Sequence, residues 1–243
     1  MMYVLIYSSQ NKGEQQKGPS KLPQSGFFEV EDAKRLRKCM EYIQKRFSEA
    51  EFLLFKKTKK VCSIRDGILT FKLICIHKEH ELPPKINKAK QRILLRGFLI
   101  RYCPNMIIAP HVKPKFYRGL KLVLDDGRVV QWLRKNGYGI KVIPYLEPDN
   151  EQTLDNLKLH YCENMERELE KVIEKIRSTK VSKNITRKEL KRLILERNKL
   201  RLLKEKIQIL KKMFKVDYTK KYNSVYVRLT QQIKMMKETL SPI

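Results

Sequence analysis

Apolar residues return every three to four positions along the C-terminal part of the chain, and residues 149 to 243 contain one proline, Pro242, and no glycine. Leu154, Leu157, Tyr161, Met165, Leu169, Val172 and Ile176 form one stripe that starts from an Asp149 or Asn150 cap. A second helix is predicted over about Arg187 to Phe214, with Leu193, Leu200, Ile207 and Phe214 seven apart and Leu203 and Leu210 between them. That spacing is a heptad seam. A third runs from about Tyr222 to Leu240 and carries Val225, Leu229, Ile233 and Met236.

Upstream the pattern alternates between periods. Ala33, Leu36, Met40, Ile43 and Phe47 predict a helix over about Val30 to Phe47, with Glu31 and Asp32 at its positive end. Phe52 to Phe55 and Ile68 to Ile76 read as strands, with a turn at Asp66-Gly67. Residues 88 to 102 read as a helix with Ile93, Leu94, Phe98 and Leu99 as its apolar set, ended by Pro104. Met106 to Ala109 is a short buried-strand candidate. Leu120, Leu122 and Leu124, then Asp125-Asp126-Gly127, then Val129 to Leu133 predict a β-hairpin. Residues 8 to 26 are rich in Gln, Ser, Gly, Pro and Lys, and predict an extended arm that lays Lys12, Lys17 and Lys21 on phosphates, or a plain disordered leader. The expected division is a basic arm over 1–27, an α/β domain over 28–148 and a helical extension over 149–243.

Charge changes the picture most. Lys and Arg number 54 against 26 Asp and Glu, a net charge of +28 on 243 residues. The excess is spread along the chain: residues 1–150 carry +16 and residues 151–243 carry +12. Self-repulsion on this scale is relieved when phosphates neutralise the cations and condensed counterions are released. Residues 151–178 have 7 acids and 5 bases, whereas 183–221 have 15 bases and 4 acids, so the first two C-terminal helices are expected to pack as an antiparallel hairpin. Exposed pairs along its flanks add only a few tenths of a kcal/mol each, so the apolar seam holds it.

Between Leu82 and Leu124 ten bases occur without a single acid: Lys85, Lys88, Lys90, Arg92, Arg96, Arg101, Lys113, Lys115, Arg118 and Lys121. A solvated surface mixes both signs, so this exclusion predicts a face held against phosphate. Phe116 and Tyr117 lie among those bases and are candidates to stack on unpaired bases, or to pack beneath their own loop. Arg192, Arg197, Lys199 and Arg201 extend the RNA-binding set onto the second C-terminal helix.

Catalytic patterns are absent from the sequence. It contains no G-x-x-x-x-G-K-[ST], no G-x-G-x-x-G and no H-E-x-x-H, and its four histidines (His77, His80, His111, His160) stand in no catalytic context. Cys75, His77 and His80 form a C-x-H-x-x-H run without a second Cys/His pair at structural zinc spacing. Asp125-Asp126 is better explained by the turn than by a carboxylate pair. Five cysteines at irregular spacing argue against a disulfide framework and suit a reducing compartment. No apolar stretch approaches the roughly 20 residues of a membrane span. The expectation is a non-enzyme without metal, cofactor, small-molecule substrate or membrane insertion.

The strand Leu69 to Ile76, Ala89-Lys90-Gln91-Arg92 in a basic helix, Cys103-Pro104-Asn105 before an apolar strand, and Asp126-Gly127 within LKLVLDDGRVVQWL follow one another in a distinctive order. On these motifs residues 68–176 resemble the thioredoxin-like mitochondrial ribosomal proteins, a family shared with a small accessory subunit of respiratory complex I. Pro104-Asn105 is inverted relative to the family's order, and the loop after Leu133 departs from it. The resemblance implies an α+β, thioredoxin-like mixed sheet flanked by helices and without redox chemistry, here followed by an all-helical hairpin or coiled-coil extension. It also implies a structural constituent of a mitochondrial ribosome in the matrix, with ribosomal RNA and neighbouring ribosomal proteins as partners. A free-standing RNA- or DNA-binding regulatory or packaging protein is the alternative.

Overall fold

The computed structural model describes residues 2–9, 23, 25–58, 70–79, 88–104, 119–124, 127–179 and 186–240. Strands β1 (Tyr3–Ser8), β2 (Ser25–Val30), β3 (Glu51–Lys57), β4 (Phe71–Glu79), β5 (Gly119–Leu124) and β6 (Tyr138–Pro148) form one sheet in the order β2-β1-β3-β6-β4-β5. Helices α1 (Ala33–Gln44), α2 (Lys88–Tyr102), α3 (Arg128–Lys135), α4 (Glu151–Ser178), α5 (Arg187–Phe214) and α6 (Thr219–Leu240) complete the chain. The architecture is α+β. Every ladder is antiparallel, which replaces the mixed sheet that the family resemblance implies. Two compact units are present, residues 1–160 and 161–243.

In the first unit β1 is the central feature. Leu5 and Tyr7 meet Val30, Leu36, Ile43 and Phe47 under α1, while Val4 and Ile6 on the opposite face are also fully buried. A strand covered on both faces reads as a continuous apolar run without alternation. The expected arm is therefore bounded by paired strands: Ser8 lies opposite Ser25, and both ends of the intervening segment are fixed in the ladder. Lys12, Lys17 and Lys21 lie outside the described residues. Gly26 fits because a Cβ there would stand 2.7 Å from the Tyr7 hydroxyl oxygen and 2.8 Å from Cε1. The Gly26→Ala variant is expected to lose about 1–3 kcal/mol by forcing the buried Tyr7 ring out of its rotamer, measured as a lower urea midpoint.

Asp32 serves α1 as its N-cap, accepting from the Arg35 amide at 2.8 Å. Along β3, only Phe55 to Lys57 pair with β6. Upstream of that ladder the start of α4 takes over: the Leu54 amide donates to Thr153 Oγ1 at 3.0 Å, and the Leu54 carbonyl accepts from the Asp149 amide at 3.0 Å. Backbone groups that would otherwise be orphaned are thereby satisfied. Asn150 caps α4 through the Thr153 amide at 2.8 Å, in line with the expected cap.

The predicted hairpin after β5 is corrected. Gly127, with φ 78°, leads into helix α3, because Val129, Val130 and Leu133 fall on one helical stripe and are all buried. Asp125 and Asp126 lie outside the described residues, as do the Asp66-Gly67 turn and the Met106 to Ala109 strand. The chain then returns as β6, which the sequence left unassigned. Pro144 sits where the β4–β6 register shifts between Phe71/Leu146 and Leu73/Ile143, and Tyr145 has φ 59°. A proline that cannot donate is tolerated in a strand at such an irregularity. Helix α2 bears out half of its expected apolar set: Leu99 is buried and Phe98 packs on Trp132, but Ile93 is 67% and Leu94 46% exposed, and Gln91, Leu95 and Tyr102 are buried instead.

The second unit follows its apolar period closely. Met165, Leu169 and Val172 of α4, Leu193, Leu200, Leu203, Ile207 and Leu210 of α5, and Val225, Leu229, Ile233 and Met236 of α6 are buried. Tyr161 lies 5.9 Å from Phe214, Asn164 meets Lys206 and Lys175 meets Glu196, so α4 and α5 run antiparallel as their charges suggested. Gln232 of α6 donates to the Ile176 carbonyl at 3.2 Å, adding a third helix. Ile209 and Glu196 join the buried set of α5, whose inward face is thus wider than a two-stranded seam needs. Thr186 and Glu189 start α5 with a reciprocal capping box.

Candidate nucleic-acid interface

Helix α5 is 28 residues long, about 42 Å at 1.5 Å per residue. Its period of 3.6 places the apolar residues inward and leaves Arg187, Lys188, Lys191, Arg192, Arg201, Lys204, Lys211 and Lys212 exposed. The three acids of this helix are otherwise engaged or set back: Glu189 in the capping box, Glu196 buried, Glu205 half-buried. The result is a ridge of cations without an interleaved exposed carboxylate.

The four residues expected on this helix take different roles. Arg192 is exposed on the ridge. Lys199 donates to Glu196 at 2.6 Å, and Lys175 of α4 shares the same carboxylate oxygen. Burial works to raise the Glu196 carboxyl, but the hydrogen bonds from Lys175 and Lys199 prevail and hold it below the usual carboxylate range. Lys199 is thus a bridge within the unit. Arg201 donates through Nε to the Tyr226 hydroxyl of α6 at 3.3 Å. This bond draws the Tyr226 phenol below its ordinary value, opposed by slight burial and assisted by the charges of Arg201, Arg197 and Lys204. Arg197, half-buried, holds its Nε shielded from solvent and without a hydrogen-bond partner.

Sequence reasoning missed Lys204, Tyr222 and Tyr226. Arg197, Arg201 and Lys204 stand at i, i+4 and i+7 on one helical face, and Tyr222 and Tyr226 at i and i+4 on another. Each spacing was legible; their meeting across two helices was not. The tyrosine rings stack with centroids 5.9 Å apart and planes 19° from parallel.

The other basic segment is less uniform than its composition. On α2, Lys90 is exposed and Arg96 and Arg101 are half-buried, while the side chains of Lys88 and Arg92 lie outside the described ones. Lys121 does not belong to the surface: on β5 it lies opposite Ile74 and is 5% exposed. Burial pushes its ammonium pKa down, with the neighbouring Cys103 acting the other way. Lys85, Lys113, Lys115, Phe116, Tyr117 and Arg118 lie outside the described residues.

Of the candidates for other chemistry, Cys75 is buried in β4 and its thiol is pushed up chiefly by burial. His80 lies outside the described residues. His160 contacts Glu51 at 2.7 Å between α4 and β3. Cys39, Cys75, Cys103 and Cys162 are free thiols. Among the described residues no helix is long and apolar enough to cross a membrane. No family model, no curated protein and no solved structure matches the chain.

Proposed function

We propose that this chain is a non-catalytic structural constituent of a ribosome, held against ribosomal RNA and neighbouring ribosomal proteins. The observation that carries the reading is the solvent side of α5, where eight exposed cations, of which Lys211 is paired with Asp217, stand along about 42 Å with no exposed acid on the helix between them. A phosphate backbone matches such a surface in sign, and relieves the net charge of +28 by counterion release. The mitochondrial part of the proposal rests on the motifs of residues 68–176.

Two measurements test it. Binding of the full chain to a structured RNA should weaken steeply with salt, log K against log salt having a slope of about −4 or steeper if five or more phosphates are engaged. A slope near zero would remove the electrostatic basis. Sedimentation of native lysate should place the protein with a ribosomal particle, from which nuclease releases it. Migration with another RNA-containing particle, or as free protein that still binds RNA in a salt-dependent way, would favour the regulatory or packaging alternative and reject the ribosomal one.

A further inference from the structure

The α5–α6 contact carries more than a stretch of the ridge. Arg201 donates through Nε to the Tyr226 phenol of α6 at 3.3 Å, and Arg197 and Lys204, one turn away on the same face of α5, add their charges to that side of the phenol. Behind Tyr226 stacks Tyr222, which is 3% exposed and whose hydroxyl has no hydrogen-bond partner. Burial first, then the neighbouring Tyr226, push the Tyr222 phenol up to about 12, with Arg201 acting against them. A buried hydroxyl without a partner costs about 1–3 kcal/mol, as does a shielded guanidinium N–H. Two such groups flank the Arg201–Tyr226 bond: Tyr222 Oη, whose ring stacks on Tyr226, and Arg197 Nε, one helical turn from Arg201.

Its chemistry is one-sided. Two guanidiniums and an ammonium can only donate, and the Tyr226 oxygen, already accepting from Arg201, keeps its own O–H to give. Planar guanidinium forks match the paired oxygens of a phosphate, and a partly shielded setting strengthens each charge-assisted bond. The exposed edge of Tyr226 offers a surface beside that phosphate for a ribose or base.

We propose that Arg197, Arg201, Lys204, Tyr222 and Tyr226 form a discrete phosphate-binding site that seats one phosphodiester of the bound RNA. This deepens the nucleic-acid reading and rests on it. The remaining ridge then acts as a screened field of cations, while this site fixes register.

The test uses the full chain and a fluorescently labelled RNA hairpin, with far-UV circular dichroism as a folding control. Arg197→Gln with Arg201→Gln should lower affinity at least about tenfold and make the salt slope shallower by only about 1, because both guanidiniums act on one phosphate. Lys188→Gln with Lys191→Gln removes the same charge elsewhere on the ridge and should make the slope shallower by about 1–2 with a smaller loss of affinity. Arg201→Lys should keep the slope and still weaken binding, because the planar fork is gone. Tyr222→Phe is the sharpest variant: the free protein should be as stable as wild type or more so, while RNA binding falls several-fold with an unchanged slope.

If the two double variants lose affinity equally and Tyr222→Phe binds as wild type, the site is absent and only a diffuse ridge remains. Wild-type protein that shows no salt-dependent RNA binding would instead overturn the nucleic-acid reading. Tight binding of inorganic pyrophosphate in that case, lost in Arg197→Gln with Arg201→Gln, would keep a phosphate site but assign it to a small anion.

Discussion

Asn164→Leu is expected to destabilise the helical unit by about 1.5–3 kcal/mol, while Lys206→Met leaves its stability within about 1 kcal/mol of wild type or raises it. Lys206 is fully buried; its ammonium donates to Asn164 Oδ1 and lies 5.1 Å from the centroid of the Tyr161 ring. Removing the amide oxygen takes one hydrogen-bond acceptor from a buried charge, and an apolar side chain gives nothing back. Removing the charge itself leaves Asn164, 8% exposed, close enough to solvent to recruit a water. Methionine nearly matches the lysine stem in volume and bends to fill the gap. Urea unfolding followed by circular dichroism at 222 nm reads both variants. The reverse order of stabilities would mean that the lysine is held mainly by other contacts.

Phe55→Ala should cost the sheet unit about 3–5 kcal/mol, a large part of the 5–15 kcal/mol that holds an ordinary domain together. Phe55 and Phe71 are both fully buried and meet edge to face, with centroids 5.8 Å apart and planes at 64°. Phe55 also lies opposite Val4 on one neighbouring strand and Pro148 on the other, so truncation opens a void where β1, β3 and β6 adjoin. Phe55→Leu retains most of that volume and should cost less than about 2 kcal/mol. Trp132, the only tryptophan, packs beside Phe98 and Tyr138 in the same unit and reports its unfolding by fluorescence. Equal midpoints for Phe55→Ala and wild type would show that this part of the sheet does not limit stability.

The three long helices were legible because a single period runs through each without Gly or Pro, and α5 begins and ends as read, at Arg187 and Phe214. The errors fall where two readings shared the same residues. Val129, Val130 and Leu133 suit a strand as well as a helix, and the helix follows from burial of that stripe after Gly127. In α2, apolar residues at 93, 94, 95, 98, 99 and 100 allow more than one inward face, and the sheet selects Leu95 and Leu99. Pro144 disguised β6, and the lack of alternation in Val4 to Tyr7 disguised β1. For the candidate interface, Arg192, Arg197 and Arg201 were legible from charge and spacing. The loss of Lys199 to Glu196 and the gain of Tyr226 depend on partners in other helices, which no local pattern encodes.

Strand β1 lies between β2 and β3, hydrogen-bonded to both, and covalent continuity with β2 runs only through residues 9–24. A single peptide-bond break in that stretch would therefore leave β1 seated, with two ladders and four buried apolar side chains holding it in the absence of the covalent link.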